Sequence, residues 1–289
     1  MQLHLKLAAL ALVFCLTSAS GALAAPAAEV AIERMTWVEV RDRVAGGATT
    51  IIIPTGGTEQ NGAHMVLGKH NVIVAETARR IAHELGDALV APVLAYVPEG
   101  SIDEKSGHMA YAGTISVPDE VFAGVLEAAA ASFKAHGFKT IVLLGDSGPN
   151  QAPQKALAEK LSLAWKDSGV RVISPSNYYA ANGGEAYLIG EGETAETIGS
   201  HAGIRDTSEL MAIDPSGVRL EGAKPNNEGA LGDPSRATVA RGEKLLALKV
   251  ATAVAEIQAA RVVGPKADAS PTASPEPGLF SKVHHLIFN

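Results

Sequence analysis

Two apolar runs constrain the fold most: Thr50-Ile51-Ile52-Ile53-Pro54 and Thr140-Ile141-Val142-Leu143-Leu144. Each is short, dominated by β-branched or aliphatic residues, and followed by a turn-forming stretch, so each reads as a strand buried on both faces. Apolar residues at helical spacing fill residues 71–85, with Gly86 as a stop, and helical segments are also expected over 118–135 and 152–165. Residues 88–97 and 170–173 read as further strands, and 236–260 as a long closing helix. Strands alternating with helices give an α/β fold, a three-layer α/β/α domain with a mostly parallel central sheet. Ligand sites in such sheets lie outside the carboxyl ends of the strands. The loops that matter are therefore residues 55–70 and 145–150.

The chain has 289 residues, 47% of them hydrophobic, with 24 Lys+Arg against 31 Asp+Glu, a net charge of −7. That balance excludes a basic nucleic-acid footprint. Lys6, an apolar run over 7–16 and the small-x-small Ala22-Leu23-Ala24 predict a signal peptide over residues 1–24. Its apolar stretch is shorter than the roughly 20 residues a membrane-spanning helix needs. Cleavage leaves no cysteine, since Cys15 is the sole one. The expectation is export, most simply to a bacterial periplasm, with no membrane attachment after cleavage. Residues 25–263 form the folded domain. Residues 264–289 open on a Pro/Ser-rich linker and end as a C-terminal tail of unassigned role.

The first of the two loops holds Glu59-Gln60-Asn61-Gly62-Ala63-His64, with His70 six residues on. A strand-end loop can turn a carboxylate and imidazoles toward one point, a combination that suits zinc, manganese or iron. Most such groups in loops are simply solvated.

Four segments resemble the creatininase (creatinine amidohydrolase) family. Glu59-Gln60-x-Gly62-x-His64-Met65 is similar to its E-Q-H-G-x-H-L signature, and His108-x-x-Tyr111-x-Gly113-Thr114-Ile115-Ser116 to its H-x-x-F-P-G-T-I-S. His201-Ala202-Gly203-x-x-Asp206-Thr207-Ser208 resembles H-A-G-x-x-E-T-S, and Gly229-x-x-Gly232-Asp233-Pro234-x-x-Ala237 resembles G-x-x-G-D-P-x-x-A. The resemblance implies a layered α/β/α domain, a metal-dependent amidohydrolase activity on a small-molecule substrate, and a homo-oligomer.

The chain departs from that pattern at the ligands. Asn61 stands where the family has a histidine ligand, His70 where it has a bridging aspartate, and Ser147 and Pro149 where it has a histidine and, in some members, a glutamate. Two readings follow. In one, Glu59, His70 and Asp146 hold a single divalent metal (zinc, manganese or iron), with Glu59 and His201 catalytic and His64, His108 and Asp206 supporting the site. In the other, no metal is bound and the chain is a pseudoenzyme or small-molecule binder. Asn61, Ser147, Asn150, Tyr178 and Tyr179 are the expected substrate contacts in a mobile Gly-containing surround. The tryptophans that cover creatinine in creatinine-specific members have no counterpart here: beyond residue 24 the chain has only Trp37 and Trp165. A linear or cyclic amide other than creatinine is therefore the expected substrate.

Overall fold

The protein is described by a computed structural model over residues 28–262. The predicted signal peptide and the tail beyond 263 lie outside the described residues. Strands β1 (Thr50–Thr55), β2 (Ala88–Val90), β3 (Thr140–Gly145) and β4 (Arg171–Ile173) form one sheet in the order β2-β1-β3-β4, every neighbour parallel. β1 and β3 pair from Thr50↔Thr140 to Thr55↔Gly145, so both strands end side by side.

The strand expected over 88–97 is regular for three residues only. Pro92 has no N–H to give to a ladder, yet the segment stays against β1: Ala91 N–H donates to Ile52 O and Leu94 N–H to Pro54 O.

The helices are α1 (Trp37–Ala45), α2 (Lys69–Leu85), α3 (Asp119–Ala135), α4 (Gln151–Ala164), the short α5 (Asn177–Ala180), α6 (Gly184–Gly190) and α7 (Ala195–Ile198), then α8 (Ile204–Ile213) and α9 (Val239–Val262). Side chains alternate across the strands. Ile51, Ile53, Ile141 and Leu143 pack against Phe122 and Leu126 of α3 and Leu157 and Leu161 of α4. Ile52, Val142 and Leu144 face the other way, against Val74, Ala78 and Ile81 of α2 and Val250, Ala253 and Ile257 of α9. Each of the buried Ile, Val, Leu and Phe side chains among these contributes about 1.5–3 kcal/mol by leaving water. The result is the three-layer α/β/α architecture. Among the described residues no helix is long and apolar enough to cross a membrane.

Helices α5 to α8 and the irregular segment 214–238 cover the carboxyl edge of the sheet, enclosing a cavity of about 890 Å³.

Candidate active site

Under the cavity runs a chain of groups of alternating charge. Lys69 Nζ lies 3.1 Å from Asp206 Oδ2 and 3.5 Å from Glu59 Oε1. His70 joins Glu59 (Nε2 to Oε1, 2.9 Å) to Asp146 (Nδ1 to Oδ2, 2.8 Å). Lys249 then links Asp146 Oδ1 at 2.8 Å to Glu209 Oε2 at 2.6 Å. Four carboxylates thus alternate with three cations. Burial and Lys69 work against a charged His70, but Glu59 and Asp146 outweigh them and raise its pKa to about 9. Burial opposes an ionised Asp146, yet Lys249 and His70 bring it down to about 2. Lys69 and Lys249 stay protonated for the same reason: the carboxylates beside them outweigh burial. A buried charge that is paired on both sides is tolerated where an isolated one would not be.

The second feature is the outer side of Glu59. His108 Nε2 is 3.2 Å from Glu59 Oε2, and His201 Nδ1 is 3.8 Å from Oε1. One ligand atom from each of Glu59, His108 and His201 falls within 4.8 Å of the others, a candidate three-residue metal site. Gln60 meets both rings by different groups: its side-chain Nε2–H donates to His108 Nδ1 at 3.0 Å, and its main-chain carbonyl faces His201 Nε2. His201 reaches that carbonyl at 2.9 Å, where an Nε2–H donates and leaves the Nδ1 lone pair facing Glu59. Burial, then Lys69, holds His201 neutral, with a pKa of about 4. Ala202, next to it, has the left-handed φ of +53°, an uncommon conformation for alanine, which sets the turn presenting the ring. Behind Glu59, burial and the Glu59 charge push Glu99 up to about 9, so it stays protonated.

The sequence-predicted residues divide between these features. Glu59, His70 and Asp146 do meet, because the loops after β1 and β3 are neighbours. The imidazole of His70, however, stands between the two carboxylates with both ring nitrogens engaged, rather than sharing an ion with them. His108, expected as a supporting residue, and His201 are the imidazoles that flank Glu59 on its other side. Asp206 holds Lys69 and accepts from Ala202 N–H at 2.8 Å. His64 is buried away from the cavity with Nε2 on Thr207 Oγ1 at 3.0 Å.

Of the expected substrate contacts, Ser147 and Tyr179 line the cavity. Asn61 does not: it is buried and its Nδ2 ties the loop together through the carbonyls of Glu59 and Val66. Asn150 instead clasps the end of β1 through Thr55 Oγ1 and Gly56 O. Tyr178 is a fully buried core residue whose hydroxyl donates to Asp146 Oδ1 at 2.8 Å. A neutral amide or phenol at a strand end satisfies backbone or carboxylate groups before it can serve a ligand. Neither Trp37 nor Trp165 lines the cavity.

Sequence reasoning missed Gln60 as an organiser, and it missed Lys69, Glu209 and Lys249. One signal was present: Lys249 sits on the apolar stripe of α9 with Leu245, Val250 and Ala253, where a lysine demands a buried partner. Gln60 carried a signal too, its place beside Glu59 in the Glu59–Met65 signature, while nothing local marks Lys69.

The protein's likeness to known proteins agrees with this architecture. Residues 33–257 match the sequence profile of creatininase, described as creatinine amidohydrolase. The chain is similar to the creatinine amidohydrolase of Pseudomonas putida, 27% identical over 197 residues, covering 66% of this chain and 75% of that protein. It is similar also to the mycofactocin precursor peptide peptidase of Mycobacterium tuberculosis, 26% identical over 231 residues, covering 70% and 81%. A solved manganese form of creatininase superposes with a TM-score of 0.66 over 82% of this chain and 100% of that one, at 24% identity, which speaks for the fold. The profile match spans both the layered sheet and every loop that builds the cavity, and the chain belongs to the creatininase family.

Proposed function

We propose that the protein is a hydrolase of a C–N bond, of linear or cyclic amide type, in a small polar molecule, using one divalent ion held by Glu59, His108 and His201. The convergence of those three ligand atoms within 4.8 Å on the cavity side of the Glu59 carboxylate carries the reading. One carboxylate and two imidazoles are a donor set that suits zinc, manganese or iron. The amidohydrolase and peptidase relatives support amide chemistry. When bound, such an ion supplies Lewis acidity toward a carbonyl oxygen and toward water.

The chain's own groups do the rest. The Gln60 carbonyl keeps the His201 proton on Nε2, away from the ion. His70, oriented by Asp146, fixes the Glu59 carboxylate. Lys69, fully buried between Asp206 and Glu59, balances the Glu59 charge beneath the cavity. Tyr179 and Ser147 bound the substrate space.

A second reading, a metal-free binding protein, is favoured by His108. Gln60 Nε2 lies on its Nδ1, which places the ring proton on Nε2 against Glu59 Oε2, a hydrogen bond rather than a ligand bond. Elemental analysis separates the two. The hydrolase reading expects about one zinc, manganese or iron per chain, lost in Glu59→Ala and in His201→Ala but retained in Asp146→Asn. A chain that purifies without metal, and takes none up from zinc or manganese buffers, sinks it.

Export to the periplasm and assembly into a homo-oligomer complete the proposal. N-terminal sequencing of the secreted chain and light scattering of the purified protein test them, and an intact Met1 or a monomer would refute each in turn.

A further inference from the structure

Arg205 is the second residue of α8, and its side chain lines the cavity, half-buried. Lys69 and Lys249 line the same cavity, but each is held between two carboxylates. Arg205 has no hydrogen-bond or ion-pair partner among the described residues. The acids nearest to it electrostatically, Glu209, Asp206 and Asp146, are all engaged elsewhere: Glu209 with Lys249, Asp206 with Lys69 and Ala202 N–H, and Asp146 with His70, Tyr178 and Lys249. Their charge holds the guanidinium in place electrostatically without satisfying its N–H groups.

A guanidinium carries five N–H donors in a planar fork whose natural complement is a carboxylate bound through two parallel hydrogen bonds. Phosphate shares the charge but has a tetrahedral outline. Nothing in the lining adds a second unpaired cation to match its extra charge. Glu185, on α6, is the one exposed carboxylate in the lining, and it lies beyond ion-pair distance of Arg205.

We propose that Arg205 receives a carboxylate of the substrate, so that the molecule taken into the cavity is an anionic amide, with its carboxylate on Arg205 and its amide toward Glu59, His108 and His201. Only the position of the amide rests on the hydrolase reading above; the anion site stands without it.

The test is calorimetric binding to the full-length chain after signal removal, before and after zinc loading. The probes are malonamate, succinamate and glutaramate, each paired with its neutral diamide. At least one acid should bind about tenfold more tightly than its diamide, the worth of one charge-assisted pair. Arg205→Gln should abolish that preference and leave diamide binding unchanged, and Arg205→Lys should restore part of it. The proposal is overturned if no acid exceeds its diamide, or if the preference survives Arg205→Gln. It is equally overturned if the acids gain only in Glu185→Gln, since Glu185 is then the occupant of Arg205. The preference is read without metal, so it stands or falls apart from the hydrolase reading, which the elemental analysis decides.

Discussion

Asp146 Oδ2 accepts a hydrogen bond from Nδ1 of His70 at 2.8 Å, and the same ring reaches Glu59 through Nε2. A ring held by a carboxylate at each nitrogen is an imidazolium, which is why its pKa rises to about 9 against burial. A histidine whose folded pKa is raised stabilises the fold fully below its unfolded value of 6.5, and that contribution is lost as pH rises through about 9. Unfolding free energy should therefore fall by about 3 kcal/mol across that window on account of this group. In His70→Gln that component should vanish. Urea unfolding at stepped pH checks it, and parallel curves for both proteins would show that His70 is neutral in the fold.

Lys69 is fully buried between Asp206 and Glu59, where its ammonium does the charge balancing that a divalent ion could otherwise do. Lys69→Met should cost about 3–5 kcal/mol in metal-free buffer, because two buried carboxylates lose their counter-charge. The same variant should bind zinc or manganese more tightly, by about tenfold or more, so that saturating metal returns about 2.7 kcal/mol at a hundred times Kd. Thermal unfolding with and without metal reads both effects. A variant that is destabilised but gains no metal response would show that Lys69 does not compete with an ion at Glu59.

The meeting of Glu59, His70 and Asp146 was legible because topology fixes it. Two neighbouring parallel strands ending at Thr55 and Gly145 must bring their following loops together. How the three groups would meet was not legible, since it depends on Lys69 and Lys249 arriving from α2 and α9. His108 and His201 reach Glu59 across separations that no periodicity encodes, and Gln60, which joins them, lies 141 residues from His201. Asn61, Asn150 and Tyr178 misled because polar side chains at strand ends look ligand-facing while their first obligation is to buried backbone and carboxylate groups. The core runs gave no such trouble: a continuous apolar stretch has one low-energy fate in a parallel sheet.

Gly229 has φ +80°, and a Cβ there would come within 2.2 Å of Gln60 Oε1. Gly229→Ala therefore carries left-handed strain of about 1 kcal/mol and also displaces the Gln60 amide that donates to His108 Nδ1. Metal affinity in a chelator competition should fall about tenfold, more than the loss of stability alone explains. Gly190→Ala, where nothing lies within 4 Å of the added methyl, is the control. It should leave affinity unchanged and raise stability by about 0.4–1 kcal/mol. Equal affinity in both variants would detach Gln60 from the ring positions.

Glu193 fastens the approach to His201. Its Oε2 accepts from Arg236 Nε at 2.7 Å and from Thr197 Oγ1 at 3.0 Å, while Arg241 lies 2.7 Å from Oε1. Thr197 in turn accepts Asp233 N–H at its carbonyl, so the carboxylate ties α7 to the segment that leads into α9. The Arg236 hydrogen bond, helped by Thr197 and Arg241, holds the Glu193 pKa at about 2. For a carboxylate depressed in this way the stabilisation is complete above its unfolded value of 4.5 and drains away as pH falls through about 2. Glu193→Gln should therefore melt about 2–4 °C below the native chain at neutral pH. The gap should shrink steadily below pH 4.5. Scanning calorimetry at neutral pH and again in the acid range reads it directly. A gap that persists undiminished into acid would mean that Glu193 acts by shape rather than by charge, and that the arginines are held elsewhere.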